Sequence, residues 1–315
     1  MRVLVAGGTG FIGRTFLEGL CLPRSGATLD LTLISRDPEA FAARYPECVN
    51  LPGAKVRLVR QTLPELDLDE PFDVVLHGAE VPVSNGTAKM AAHNDAALEA
   101  MLALAKRSRA QRFVYLSSGA VYALKSDLNP PFEMQANFPD GSPEAGIYAW
   151  SKYQSESEVR RYCQASGLSY VIVRIFNVAS RHLPLEGRYA LGNFVEDLLD
   201  DARPAIAINC SGRDRRSFIS GPHLAGLLCY SLYEAPDGAI YNACSEDEIS
   251  IRDLADLVCE AAGRRKPVKV AAPDAPVSHY TGAPNLPPEF LSTRDDIRHE
   301  IARLVASHSM ETSVG

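Results

Sequence analysis

No two cysteines of this chain stand in a C-x-x-C arrangement, and the seven present are scattered and odd in number. That pattern argues against a disulfide framework. It predicts reduced, mostly buried thiols in a cytoplasmic protein. The seven histidines show no metal-ligand spacing, so no metal is expected. Basic excess is missing too. Lys and Arg number 32 against 39 Asp and Glu, a net charge of −7 with a pI near 5.6, and the totals carry no footprint of nucleic-acid binding. Acidity does not exclude anionic ligands, which local arginines and backbone N–H groups can hold. Long apolar runs are absent as well. The stretch around "GPHLAGLLCYSLY" is too short to cross a bilayer. In "MRVLVAGGTGFIG" glycines interrupt the apolar run that a secretory signal needs, so neither export nor a membrane partner is expected. No internal repeat is visible.

What is present is a rhythm. At 315 residues the chain is long for one core, and one large domain with a smaller appendage is expected. Short apolar runs rich in β-branched residues occur at 2–6, 31–34, 56–59, 73–76, 112–116 and 169–173. Helical patterns separate most of them, at 12–21, 37–45, 88–107 and 147–166. Fully apolar strands alternating with helices predict an α/β fold, a doubly wound Rossmann-type parallel sheet covered on both faces. After about residue 177 the rhythm loosens into short strands (206–208, 240–243) and helices (192–201, 222–234, 250–262). The proline-rich stretch 265–290 reads as surface loop, followed by a last helix near 294–306 and a frayed polar tail. The expected division is a cofactor domain over 1–176, to which segments near 216–244 return, and a smaller α/β substrate domain over most of 177–315.

Ligands of such sheets bind beyond the carboxyl ends of the strands. The unusual residues fall there: "GGTGFIG" after the first strand, "SRD" after the second, "HGAE" after the fourth, "SSGAVY" after the fifth and "RIFN" after the sixth. Gly7, Gly10 and Gly13 close the first strand and open the first helix, the pattern that lets backbone approach a pyrophosphate at a helix N-terminus. Phe11, Ile12 and Arg14 belong to the same turn. At the end of the second strand an acid would accept ribose hydroxyls, whereas an arginine would hold a 2′-phosphate. Ser35 and Arg36 stand there, and Asp37 suits the cap of the next helix. NADP(H) is therefore favoured, with NAD(H) possible.

Together these segments resemble the extended short-chain dehydrogenase/reductase family, in its nucleotide-sugar epimerase, dehydratase and reductase branch. "GGTGFIG" is similar to its cofactor loop, and "DVVLHGAE" to its fourth-strand segment, where His77, Gly78 and Ala79 would pass beside the cofactor. Asn94 stands where the family has a strand-bracing Asn. "SSGAVY" resembles the catalytic serine segment, which implies Ser118. "YAWSK" resembles the YxxxK motif, which implies Tyr148 and Lys152 in catalysis and at the cofactor. "RIFN" and "RRSFISGPHLAGLL" resemble segments through which Asn177 and Arg216 would meet a substrate diphosphate. Ser84, in the stretch 81–86, and Ser118 complete the implied substrate contacts. In "ARPAIAI" the chain resembles the family's base-binding turn. Ser217, Pro222 and His223 stand where the family pattern has acids.

A free tyrosine has a pKa near 10 and exchanges protons sluggishly at neutral pH. A lysine ammonium one helical turn away favours the tyrosinate and brings that pKa toward the working range. Dehydratases of this family need an acid and a base after the catalytic hydroxyl, and this chain has Gly119 and Ala120 there. Arg36 tilts the remaining choice toward a reductase, in which NADPH reduces a keto carbon, often C4, of a nucleotide-activated deoxysugar and Tyr148 supplies the proton. The alternatives are a nucleotide-sugar 4-epimerase and, from another class, a non-catalytic NADP-binding sensor or structural subunit. The resemblance also implies a homodimer paired through helices 88–107 and 147–166. The apolar "AALEAMLALA" at 96–105 suits that interface or packing on the sheet.

Overall fold

The computed structural model describes residues 1–20, 28–81, 88–122, 146–185, 187, 189–291 and 296–311. The chain divides into two compact units. The first contains the described residues through Ile175, with Ala225–Tyr241 returning to it, and the second contains Phe176–Leu224 and the described residues from Asn242 onward.

Seven strands build the first unit's sheet: β1 (Arg2–Ala6), β2 (Leu29–Ser35), β3 (Ala54–Arg60), β4 (Val74–His77), β5 (Arg112–Ser118), β6 (Ser169–Ile175) and β10 (Ala239–Ala243). Their order is β10-β6-β5-β4-β1-β2-β3, and the pairings from β6 to β3 are all parallel. The order reverses beside β1, the switch point at which such sheets open a crevice. Helices α1 (Phe11–Glu18), α2 (Pro38–Arg44), α3 (Ala88–Arg107) and α4 (Gly146–Ser166) make the crossovers, and α6 (Gly221–Tyr233) leads into β10. The apolar runs read from sequence are these strands, each extended by one to a few residues in most cases. Burial explains the absence of alternation within them. Val3, Leu4, Val5 and Ala6 are all inaccessible, although successive side chains point to opposite faces.

On one face, Leu4, Val75, Phe113, Tyr115 and Ile172 of the sheet pack against Leu98, Met101, Leu102 and Ala105 of α3 and Val159 and Cys163 of α4. The 96–105 stretch is therefore consumed by the core of a single chain. Its buried positions 97, 98, 101, 102, 104 and 105, with 94 and 108 on either side, recur at helical spacing. The returning segment is tied at the far side of the sheet. Arg112 donates to the carbonyls of Ser231 (3.2 Å) and Ala235 (2.7 Å), and Tyr170 N donates to Asp237 Oδ1 (2.9 Å).

The second unit has shorter elements. Strand β9 (Arg215–Ser220) is flanked by β7 (Asn177–Ala179), β11 (Glu248–Ser250) and β13 (His279–Tyr280), and β8 (Ile206–Ile208) pairs with β12 (Val268–Val270). Helices α5 (Ala190–Leu199), α7 (Ile251–Ala261) and α9 (Ile297–Glu311) pack with them, and α8 (Pro288–Leu291) is a single turn. The region 265–290, expected as loop, thus supplies β12, β13 and most of α8. Strands of two or three residues are too short to show a period, and they form because β8 and β9 offer unpaired edges. Helix α9 also runs to Glu311, into the tail expected to fray, with Ile301, Leu304 and Val305 buried. Among the described residues no helix is long and apolar enough to cross a membrane, and no cluster suited to a metal ion occurs.

Leu102 makes the α3 core testable. Its truncation, Leu102→Ala, is expected to cost about 2–5 kcal/mol of stability, read as a lowered urea midpoint at unchanged slope.

Candidate active site

The turn after β1 is shaped by contacts that only glycine permits. Gly7 has φ +90°, and a Cβ there would lie 2.6 Å from the carbonyl carbon of Gly78 at the end of β4. A Cβ on Gly13 would collide with Gly7 O and the Gly8 backbone. Gly10 N donates to Gly7 O at 3.1 Å, closing the turn. Helix α1 then begins with Gly10 as its N-cap, a residue with no side chain of its own to cap the helix. Phe11, Ile12, Gly13 and Arg14 form its first turn. Close backbone approach joined to a helix N-terminus fits the pyrophosphate of a dinucleotide.

At the end of β2, Ser35 is buried and its Oγ accepts from Asp37 N (3.2 Å). Asp37 Oδ1 accepts from Ala40 N (3.2 Å), so this carboxylate caps α2 as expected. Arg36 is exposed, and its carbonyl accepts from Arg60 Nη1 (2.9 Å). The acids that follow, Asp37 and Glu39, are ion-paired with Arg60. Arg14 lies 4.3 Å above the Tyr45 ring.

Beyond β4 the backbone of Val81 is clamped by Asn94 of α3. Val81 N donates to Asn94 Oδ1 and Asn94 Nδ2 donates to Val81 O, both at 2.9 Å. The clamp holds Glu80, which sequence reasoning passed over, against Lys152 of α4. Lys152 Nζ lies 2.7 Å from Glu80 Oε1 and donates to Leu116 O at 2.7 Å, while Tyr115 OH donates to Glu80 Oε1 at 2.8 Å. Burial lowers the pKa of Lys152, but the charges of Glu80 and Tyr148 outweigh it and leave the pKa raised. Burial, with Glu80 and Tyr148 beside it, pushes the Tyr115 phenol well above its usual value. His77, stacked on Tyr115 at 5.9 Å, is pushed down to about 4, chiefly by burial and also by Lys152, so it is neutral.

Ser118 ends β5. It is 6% exposed, and its Oγ accepts from Ala120 N at 3.1 Å. The Leu116 carbonyl that anchors Lys152 lies two residues earlier on the same strand. Tyr148 sits one helical turn before Lys152 on α4 and is 38% exposed. Trp150, on another side of the helix, stacks on Tyr153 at 5.7 Å.

One turn after Lys152 comes Glu156, fully buried. It takes two hydrogen bonds from Arg174 of β6 (2.9 and 2.7 Å) and one from Ser117 Oγ of β5 (2.7 Å). Arg174 also donates to Tyr122 OH at 2.6 Å. Burial opposes the charge on Arg174, but the Glu156 carboxylate raises its pKa overall. The signal for Glu156 was its spacing, Tyr148, Lys152 and Glu156 each four apart; its partner Arg174 is distant in sequence.

The second unit has a pocket of about 340 Å³. Asn177 and Arg216 both line it, with Tyr189, Phe194, Ile208 and Phe218 among its apolar walls. Asn177 Nδ2 donates to Ser217 O (2.9 Å), bracing β7 to β9. Arg216 donates to Ser278 O (3.2 Å) and Ser278 Oγ (3.1 Å), and burial lowers its pKa. Burial disfavours charge on nearby Asp214, yet hydrogen bonds from Ser211 and Ser278 hold its pKa well below the carboxylate range. The expected base-binding turn reaches this wall through Ala207 and Ile208. Ser84 lies outside the described residues.

A glycine cradle at a parallel sheet's switch point, with a Tyr-x-x-x-Lys helix beside a strand-end serine, defines a nicotinamide-dinucleotide oxidoreductase fold. The chain matches the NAD dependent epimerase/dehydratase family over residues 3–244 and belongs to it. It is 25% identical to a UDP-glucose 4-epimerase of Azospirillum brasilense, covering 95% of this chain and 86% of that one. It is 28% identical to an uncharacterized UDP-glucose epimerase of Bacillus subtilis, where the match spans 56% of this chain and 57% of that relative. The solved UDP-N-acetylglucosamine 4-epimerase of Methanobrevibacter ruminantium superimposes with a TM-score of 0.79 at 20% identity, over 99% of this chain and 98% of that one.

Two outcomes follow from the buried groups. Glu156→Ala strands the Arg174 charge and is expected to cost about 3–5 kcal/mol, measured by thermal or denaturant unfolding. His77 binds a proton in the unfolded chain below pH 6.5 but in the folded one only near pH 4. Its contribution to stability is full above 6.5 and is lost as pH falls through the window, the loss reaching about 3 kcal/mol at pH 4. Unfolding curves between pH 7 and 4 should show that limb, and His77→Phe should flatten it.

Proposed function

We propose that this chain is a nucleotide-sugar oxidoreductase that inverts a ring hydroxyl, with C4 as the favoured position. The observation that supports this most is the placement of Ser118 at the end of β5 with Tyr148 and Lys152 on the adjoining face of α4, in the unit that holds the glycine turn. The names of the relatives favour epimerisation, and Gly119 and Ala120 lack the proton-transfer groups of a dehydratase.

The roles follow from the side chains. The Gly7–Gly13 turn and the first N–H groups of α1 would hold the dinucleotide's pyrophosphate, with His77, Gly78 and Ala79 at the end of β4 beside it. When bound, a nicotinamide accepts and returns a hydride. Ser118 Oγ is set to hold the substrate oxygen in place. Tyr148 takes a proton from that oxygen when the carbon is oxidised and gives one back when it is reduced. Lys152 supplies the positive charge that makes both transfers accessible near neutral pH. In the second unit, Arg216 and Asn177 are the groups for a diphosphate, and the apolar walls around Phe194 and Ile208 suit a base.

A second reading is favoured by one observation. Arg36 stands exposed where an acid would select NAD, and the neighbouring acids are paired with Arg60. That arrangement suits a 2′-phosphate and hence an NADPH-dependent ketoreductase acting on a 4-keto deoxysugar nucleotide. A homodimer remains part of the proposal for either reading.

Two assays separate the readings. Interconversion of UDP-sugar epimers without net cofactor consumption, with NAD co-purifying, supports the first. Stoichiometric NADPH oxidation on 4-keto-6-deoxy nucleotide sugars supports the second. If both fail across UDP, dTDP, GDP and CDP sugars, the nucleotide-sugar assignment is wrong. Under either reading Tyr148→Phe should lower turnover by about 10²–10⁴-fold while dinucleotide binding, followed by thermal shift, persists.

A further inference from the structure

We propose that Asp214 and Ser278 are positioning residues that aim the Arg216 guanidinium at a nucleoside diphosphate, Asp214 acting through the Ser278 hydroxyl. The inference rests on the reading above of Arg216 as a group for a diphosphate, and it names what sets that group's direction.

Strand register brings the three residues together. Strand β13 lies parallel to β9, with His279 opposite Arg215 and Tyr280 opposite Arg216. Arg215 N donates to Ser278 O at 2.9 Å, which places Ser278 beside Arg216. From the other side, the turn before β9 folds the Asp214 carboxylate back onto the same serine. Gly212, at φ +76°, makes that turn, and Arg213 N donates to Ser211 Oγ at 3.1 Å within it. Asp214 is 3% exposed. Its Oδ2 accepts from Ser211 Oγ (2.6 Å), and its Oδ1 accepts from Ser278 N (2.9 Å) and from the Ser278 hydroxyl.

The chemistry of the donors fixes the direction of each bond. A serine hydroxyl has one proton, and an ionised carboxylate only accepts. Burial opposes the charge on Asp214, yet hydrogen bonds from Ser211 and Ser278 keep it ionised far below neutral pH. The Ser278 proton is therefore committed to Asp214, and the lone pairs of Oγ face Arg216 Nη2, 3.1 Å away. Nη1 donates to Ser278 O (3.2 Å) and to Arg215 O (2.7 Å). Ser278 thus grips the end of the fork through two oxygens. Nε–H and the second proton of Nη2 are left, and they lie along the remaining edge of the planar group. Two parallel N–H groups on one edge match two phosphate oxygens, and Arg216 lines the pocket together with Asn177. An arginine fixed in this way has lost its rotamer freedom before a ligand arrives, so binding does not have to order it. Without the carboxylate the hydroxyl could turn its proton toward the guanidinium, and half of the grip would be lost.

The test uses the full-length protein and needs no turnover. UDP, dTDP, GDP and CDP are titrated into it calorimetrically, and the one bound most tightly is carried through the variants. Ser278→Ala should weaken its binding about tenfold, as expected for one hydrogen bond to a charged group. Ser278→Thr keeps the hydroxyl and should restore the parent affinity. Asp214→Ala should weaken binding as Ser278→Ala does. Because Asp214 acts through Ser278, the double variant should bind no more weakly than the weaker single one. Dinucleotide affinity, set by the first unit, should stay at the parent value throughout. Should Asp214→Ala fail to fold, Asp214→Asn takes its place in the same cycle. Parent affinity in Ser278→Ala overturns the proposal. So does an equal loss in Ser278→Thr, which would make the effect one of packing, and so do additive losses in the double variant. The two layers fail separately. If none of the four nucleotides binds the parent, or Arg216→Ala binds as the parent does, the diphosphate reading falls and takes the inference with it. If Arg216→Ala weakens binding and the Ser278 and Asp214 variants do not, only the positioning role is lost.

Discussion

Helix α4 is held on the sheet by an ion pair that water does not reach. Glu156 and Arg174 are 0% and 3% exposed, and two further hydroxyls, of Ser117 and Tyr122, satisfy them. Taking two such charges out of water costs several kcal/mol per ion. The pair survives because its two parallel hydrogen bonds, the Ser117 donor and the Tyr122 acceptor return that cost. Satisfied in this way it permits little rotation of the helix. Tyr148 and Lys152 lie two turns and one turn along the same face, so their direction is inherited from this lock.

A second constraint acts at the mouth of the sheet. Gly7, Gly13 and Gly78 let three backbone segments meet where side chains would force them apart. The strand ends then crowd together, and the residues after β4 are close enough to α4 for Glu80 to reach Lys152. Packing and electrostatics are joined here. The steric economy of the glycines sets which charges are neighbours. The pocket of the second unit is built differently, from short strand edges and the N-terminal half of α5, with Arg216 tethered to β13's flank by Ser278.

Much of the first unit was legible because its strands are buried on both faces. Burial on both sides leaves continuous apolar runs such as "RVLVA" and "RFVYL", which stand out against the helices between them. The glycine turn and the Tyr–Lys spacing were visible for a related reason, since local contacts with short sequence separation leave fixed intervals. The second unit was less legible. Strands β7, β11, β12 and β13 have two or three residues each, and pairing with β8 and β9 rather than any local pattern makes them strands. The apolar 96–105 stretch had two possible destinations by composition, and its burial against β4 and β5 shows that one chain already covers it.

Chain order and residue spacing were enough to establish a wound α/β sheet, a phosphate-cradling turn and a Tyr-x-x-x-Lys helix, because each is encoded by neighbours in sequence. Folding in three dimensions had to decide what those groups stand beside. Glu80 meets Lys152 across 72 positions, Glu156 meets Arg174 across 18, and Arg216 meets Ser278 across 62. No local interval encodes such pairings. They arise only once parallel strands and crossover helices place distant segments within hydrogen-bonding reach, where a low dielectric makes each charge felt.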